Sequence, residues 1–497
     1  MAKFHFSRLR HELHSIFLNN WFLEDNQSLP TIGSASYFVE ENSSSIQCHR
    51  QVKSWLEDCL ENHSSCSSQD DCALPTRVVN VGLISDDDLK YQQPFLFEPS
   101  GASGRYVALS YCWGKNANTV TTTSETFQAH KQCIEMDSLP KTIQDAITIT
   151  RSLRIPYIWI DALCIIQGDP SDWAREAGKM CHVYSSAVLT ISASNASSSN
   201  EGIFGPQRFG APPRPLSYCG NTVYVCQNVA REHNRFEVQM RMREPMPLNR
   251  RAWTLQEGVL SNRIVHYTSS ELVWECNDRF LCECGFANMK IEMGDEISNR
   301  SIRQPELARE MKIDRKIAYQ KWRDLVMVFM ERQISVDDDR LAAFSGLARQ
   351  FRRLLRAASG GAGSDQYIAG LWAGDLAHGM LWSVEDDWFR QSRDLEIEYR
   401  RPKSWRAPSW SWAAFEGPVE YAPLTRLESM IDVVEAEALP RTMYDEMGQV
   451  TSARLILNGT YCPGTNAMRS LCYFQHHPTS KWHLGVISLS SSLSWEY

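Results

Sequence analysis

The chain alternates between short, nearly continuous apolar runs and longer segments whose apolar residues recur every three or four positions. The runs are YVALSY (106–111), YIWIDALCII (157–166) and AVLTISAS (187–194). Runs this short and this apolar are expected of strands covered on both faces of a sheet. Between the first two, Leu139, Ile143, Ala146, Ile147 and Leu153 fall at helical spacing. Ser138 is suited to cap that helix, and Pro140 to fill its first turn, where a missing N–H costs nothing. Between the second and third, Asp169-Pro170 predicts the start of a helix over 170–187, with Trp173, Ala177, Met180 and Tyr184 facing inward. Strand, helix, strand, helix, strand predicts an α/β domain built on a mainly parallel sheet flanked by helices.

The flanks read differently. Residues 46–62 predict an amphipathic helix with Val52, Trp55, Leu56, Cys59 and Leu60 on one face, and RVVNVGLIS (77–85) predicts a strand. Beyond 205, LNRRAWTLQEGVLS (248–261) predicts a short helix, and RIVHYTSSELVWEC (263–276) a β-hairpin turning at Ser269-Ser270. A charged, irregular linker over 285–310 leads into a strongly helical segment, 316–357. After a Gly/Ser break at 359–364 comes a region dense in tryptophan: Trp372, Trp382, Trp388, Trp405, Trp410 and Trp412. Core packing is the expected role of these rings. The resulting division is a lead-in region (1–98), a central domain (99–275) and a mixed, helix-rich C-terminal region (276–497), with no internal repeat.

Composition narrows the function. In 497 residues, 43% are hydrophobic and 22% charged, as in folded globular proteins. A net charge of -8 argues against nucleic acid as a partner, and the basic stripe RQFRRLLR (349–356) reads as a solvated helix face. The first 25 residues hold no apolar run suited to a signal peptide, and no stretch is long enough to span a bilayer, so a cytoplasmic location is expected. The 15 cysteines then read as reduced thiols. Cys59, His63, Cys66 and Cys72 offer four donors in a short window, as zinc requires. Their spacing is not that of a finger and no second pair follows, so they read as small buried thiols with a surface histidine, and no metal is expected. Glycine-rich nucleotide fingerprints, a phosphate loop, a His-Glu-x-x-His pair and a nucleophile elbow are all absent from the sequence.

Three blocks carry a resemblance. YVALSYCWG, then LPKTIQDAITITRSLRIPYIWIDALCIIQGDPSDWAREAGKMCHVYSSAVLTISA, then RAWTLQE, resemble in order and spacing the signature blocks of the heterokaryon-incompatibility (HET) domain family, over roughly 104–258. WLEDCLENH before them, and RLAAFSGLA and APSWSWA after, look like the surroundings of such domains in fungal proteins. The resemblance implies vegetative incompatibility, in which fused fungal cells of unlike genotype are killed. Its implied partners are a protein from the incompatible cell or an upstream signalling protein, with self-association on activation. The HET domain is distantly similar to the TIR domain, which implies a TIR-like fold and, by analogy with TIR domains that cleave NAD, NAD as a substrate with no cofactor required.

That analogy rests on a glutamate within Trp-x-x-Glu on the helix after a central strand, matched here by Trp173 and Glu176. Glu176 is the catalytic candidate. It lies about 60° from the centre of the apolar stripe, a position from which a carboxylate reaches a pocket edge. There it could stabilise the positive charge that develops on the ribose. Ser110, Tyr111 and Trp113, at the carboxyl end of the first strand where ligands of open α/β sheets bind, are candidate substrate-binding residues, with Asp161 and Trp173. Asp161 interrupts an apolar strand, which is costly unless it is bonded. Trp253, Gln256 and Glu257 of the third block could line the same pocket. Several of these residues have a structural alternative: Glu176 pairs with Arg175 or Lys179, Asp161 bonds a neighbouring loop, Trp253 anchors its helix, and Trp113-Gly114 forms a tight bend with an aromatic plug. Two readings stay open, a NAD-consuming death effector and a non-enzymatic interaction module of the same family.

Overall fold

The computed structural model describes residues 20–23, 34–35, 39–66, 72–83, 91–114, 120–205, 214–218, 221–225, 246–285, 289–290, 300–305, 313–360, 365–384, 400–421, 431–459 and 493–495. Trp388 and most of the charged stretch 285–310 lie outside them. The chain divides into two compact units. The first comprises Met1–Cys164, Ser186–Leu248 and Ser261–Glu292, and the second Ile165–Ser185, Asn249–Leu260 and Met293–Tyr497.

Among the described residues, the first unit holds a nine-stranded sheet. Numbered along the chain, its strands are β1 (Val78–Asn80), β2 (Phe95–Phe97), β3 (Tyr106–Ser110), β4 (Tyr157–Trp159), β5 (Leu189–Ser192), β6 (Arg263–Tyr267), β7 (Leu272–Cys276), β8 (Arg279–Cys282) and β9 (Met289–Lys290). Their order across the sheet is β9-β8-β7-β6-β5-β3-β4-β1-β2. Only β6, β5, β3 and β4 run parallel, and every pair outside that core is antiparallel. The expected mainly parallel sheet is therefore a mixed one. The cause lies in the connections: the turns after β6 and β7 are too short for a crossover, so each strand folds back on its neighbour. Thr268 closes the first of these, its Oγ1 accepting from Ser270 N and Glu271 N and donating to Glu271 O. The hairpin expected over 263–276 is thus present. β3 and β5 are buried at every residue, as two-faced burial of their apolar runs requires.

Among the described residues, the two longest helices of this unit lie before and within its parallel core. Helix α1 (Ile46–Asn62) is capped by Ser45, whose side chain accepts from Cys48 N, and it buries Cys48, Val52, Trp55, Leu56 and Cys59. Helix α2 (Lys141–Ser152) begins later than Ser138 suggests. Ser138 donates to Glu135 O in a separate 3-10 turn, and Pro140 takes the cap position instead. A second four-stranded sheet comprises Asn20–Leu23, Ser34–Ala35, Arg214–Tyr218 and Asn221–Val225.

In the second unit, helix α3 (Pro170–Ala177) is capped by Asp169, as the sequence predicts. The single helix expected over 170–187 breaks, and Met180–Ser186 forms a separate one. At the break, a Cβ on Gly178 would lie 2.7 Å from the Tyr444 carbonyl oxygen, so only glycine lets that backbone approach. Helices α4 (Trp253–Leu260), α5 (Arg315–Met330) and α6 (Ala342–Ala358) complete the unit's main helices, with a short helix at Arg300–Arg303 inside the stretch expected to be a linker. Arg303 is buried and donates to Val259 O at 2.9 Å.

Trp322 packs against Phe344, Phe351 and Trp372, and Phe329 against Phe344 and Trp412. The indoles of Trp322 and Trp412 both donate to Gly370 O, so the polar edge of each large ring is satisfied within the core. Trp372 and Trp412 are core residues as expected, whereas Trp405 is exposed. The basic stripe is partnered rather than merely solvated: Arg349 meets Asp445 at 2.7 Å and Arg352 meets Glu446 at 2.6 Å. No helix among the described residues is long and apolar enough to cross a membrane.

Candidate functional site

At the carboxyl end of the parallel core, Ser110 of β3, Ser192 of β5 and His266 of β6 stand opposite one another in register. Ser192 Oγ lies 2.9 Å from Ser194 Oγ, which lies 3.4 Å from His266 Nδ1. Paired positions project from the same face of a sheet, so hydroxyls and an imidazole share one polar strip. Ser110, Ser192 and Ser194 are all buried and His266 is half-buried, so most of the strip is shielded from solvent. Tyr111 follows, also buried. Next, Trp113 donates from its indole to Asp161 Oδ2 at 2.8 Å, and Gly114 turns the chain with φ +89°. The Trp113 carbonyl accepts from both Ser199 N and Ser199 Oγ, joining two loops above the strand ends.

Asp161 does not interrupt a strand. β4 ends at Trp159, and Asp161 opens a helical turn, Asp161–Cys164, with its Oδ1 accepting from Ala162 N at 2.7 Å. The carboxylate is thus engaged by a backbone amide and by Trp113. A second acid, Asp145 of α2, is wholly buried and accepts from Ile203 N and Phe204 N.

Trp173 and Glu176 belong to the second unit, on α3. Glu176 is only 2% exposed, deeper than the pocket-edge position its helical phase suggests. Its Oε1 is 3.2 Å from Lys179 Nζ and 3.5 Å from Arg175 Nε. Asp172 is buried beside it, accepting from Ile166 N and paired with Arg175. Trp173 meets Trp253 of α4 edge to face at 6.4 Å, so the second and third sequence blocks pack together here. Gln256 receives the Gly346 amide at 2.7 Å, and Thr254 Oγ1 accepts from Arg332 at 3.0 Å. In α4, then, the RAWTLQE residues are spent largely on anchoring the helix.

Trp253 also hydrogen-bonds Asp339, whose carboxyl burial pushes up to about 6, against the opposing effect of that bond. A carboxyl with a raised folded-state pKa binds more protons folded than unfolded. Its penalty is therefore absent below about pH 4, grows as pH rises towards 6, and is complete above that. Asp339→Asn should leave stability unchanged near pH 4 and raise it by about 2–3 kcal/mol at pH 7.5. Urea denaturation at both pH values checks this, and an equal change at both would refute the assignment.

Of the residues singled out from sequence, Trp113 and Asp161 are in direct contact in the first unit, which also holds Ser110 and Tyr111. Trp173 and Glu176 belong to the other unit. Sequence reasoning missed Asp145, Ser192, Ser194, His266 and Asp339. For Ser192 and Ser194 a signal existed, since they are the polar alternates of ISAS at a strand's end. No curated protein and no solved structure matches the chain. Residues 106–257 match the family model described as Heterokaryon incompatibility protein (HET), and the chain therefore carries a HET domain across that segment.

Proposed function

We propose that the chain is a cytoplasmic effector of heterokaryon incompatibility, which triggers death of fused fungal cells on meeting a non-self protein partner, and that its HET domain acts as an interaction module. The HET match over 106–257 carries the first part. The burial of Glu176 supports the second. A carboxylate closed off from solvent and braced by Lys179 and Arg175 suits the holding of α3 better than contact with a ribose. Asp161 is likewise engaged by Trp113 and by its own helical turn.

The test is inducible expression of the full chain in a fungal recipient, alone and with proteins from an incompatible strain, following viability and NAD together. The expected result is death that precedes any fall in NAD and that Glu176→Gln leaves intact, once protein levels are matched. NAD loss ahead of death, abolished by Glu176→Gln at unchanged melting temperature, would instead make the domain a NAD-cleaving enzyme. Full viability in every pairing would sink the incompatibility reading.

A further inference from the structure

Cys59, His63 and Cys66 leave the C-terminal end of α1 together, and the first unit brings a fourth donor to them from far along the chain. Cys276 closes β7, and the four ligand atoms all lie within 4.8 Å of one another. All four residues are buried, His63 included, contrary to its expected surface position. Cys72, the fourth donor that the local sequence offers, is not part of this group. We propose that Cys59, His63, Cys66 and Cys276 bind one zinc ion as a closed structural site.

Five observations favour an ion here. The donor set is three sulfurs and one imidazole nitrogen, which selects zinc over oxygen-seeking cations such as magnesium or calcium. A Zn–S bond of about 2.3 Å at tetrahedral angles sets thiolates about 3.8 Å apart, so atoms within 4.8 Å need only a small contraction.

The histidine is oriented for the task. Its Nδ1 faces the cluster, 3.4 Å from Cys276 Sγ, while Nε2 lies 3.4 Å from Asp58 Oδ2 and 3.8 Å from Asp278 Oδ2. A metal-bound imidazole commonly donates its other N–H to a carboxylate in this way, which fixes its tautomer and ring plane.

The charge also closes. Three thiolates and Zn²⁺ sum to -1, and the fully buried Arg263 places its Nε 3.2 Å from Cys59 Sγ. Arg263 is also the register partner of Cys276 across β6 and β7, so the sheet itself delivers the balancing cation. Lastly, the Arg279 amide donates to Cys276 Sγ at 3.3 Å, and the turn after α1 is tied by Cys66 N to His63 O at 3.0 Å. With four protein ligands no coordination position remains for substrate, so the ion would pin α1 to β7 rather than catalyse.

The experiment uses the full chain, purified reduced and without a polyhistidine tag. Elemental analysis should find about one zinc per chain, and exchange for cobalt should give the ligand-field and thiolate charge-transfer bands of a tetrahedral site. Cys276→Ser and His63→Ala should lose the metal, whereas Cys72→Ser should keep it. If the first two variants fail to fold, the wild-type cobalt spectrum still decides, because its charge-transfer intensity counts the thiolates. Metal-free wild-type protein with no cobalt spectrum would overturn the proposal. So would iron in place of zinc, a disulfide among the three cysteines, or retention by Cys276→Ser with loss in Cys72→Ser.

Discussion

Replacing Glu416 with alanine is expected to cost about 3–5 kcal/mol of stability, because it strands two buried guanidinium groups. Glu416 receives Arg340 on Oε2 and Arg406 on Oε1, and all three side chains are at most 10% exposed. Burial lowers the Arg340 pKa to about 10, and the Glu416 charge is what chiefly opposes that fall. Arg406 does more than pair. It donates to the carbonyls of Ala413, Phe415 and Asp337, and so fixes the 3-10 turn Trp412–Ala414. Trp412 is the residue that this turn presents to Phe329 and Phe344. Loss of the carboxylate should therefore be felt twice, as uncompensated charge and as a loosened aromatic anchor. Urea denaturation followed by tryptophan fluorescence should show a lower midpoint for Glu416→Ala, with Glu416→Gln in between. A shift below about 1 kcal/mol would mean that water or another anion already serves the two arginines.

Glu416 was not legible in the sequence, and the reason is general to this chain. What periodicity and apolar runs can report is local: the buried strands near 106, 157 and 189, the helix over 46–62 with its buried stripe, the Asp169 cap, the hairpin at 263–276. Where a polar residue acts locally, the sequence held the clue but not its meaning. Asp161 stood out in an apolar run, yet the strand within that run ends at Trp159 and the acid starts a helical turn. Where the partner is distant, nothing in the sequence pointed to it. His63 and Cys276 are 213 positions apart, whereas the local spacing offers Cys72 as the fourth donor. Likewise the antiparallel flanks of the sheet depend on strand pairings that no single segment encodes. The candidate site divides the same way: Gly114 has the left-handed backbone its bend implied, but the burial of Glu176 depends on packing beyond its own helix.

Asp145→Ala should be nearly as damaging in the HET segment as Glu416→Ala is elsewhere. The Asp145 side chain is 1% exposed, yet it is a hub. Its Oδ2 accepts from Ile203 N at 2.8 Å and Phe204 N at 3.3 Å, and Lys141 Nζ meets its Oδ1 at 2.5 Å. Beside it, Thr142 donates its amide to Ser199 O and accepts from Gly202 N. Helix α2 thus clamps the loop 199–204, whose first residue holds the Trp113 carbonyl. At the far end of the clamp, Phe204 packs edge-on against His49 and Tyr267. Removing the carboxylate leaves two backbone N–H groups without their acceptor, at about 1–3 kcal/mol each when burial persists, so a total near 3 kcal/mol is expected. The loop can relax toward solvent only by giving up the Phe204 contacts, which sets a floor under the loss. Asp145→Asn keeps one acceptor oxygen and should fall between. Hydrogen exchange provides the sharper reading: the amides of Ile203 and Phe204 should exchange faster in Asp145→Ala while those of β3 hold. Unchanged exchange at 203 and 204 would show that the loop is held by its ring contacts alone, and that the buried acid is incidental to it.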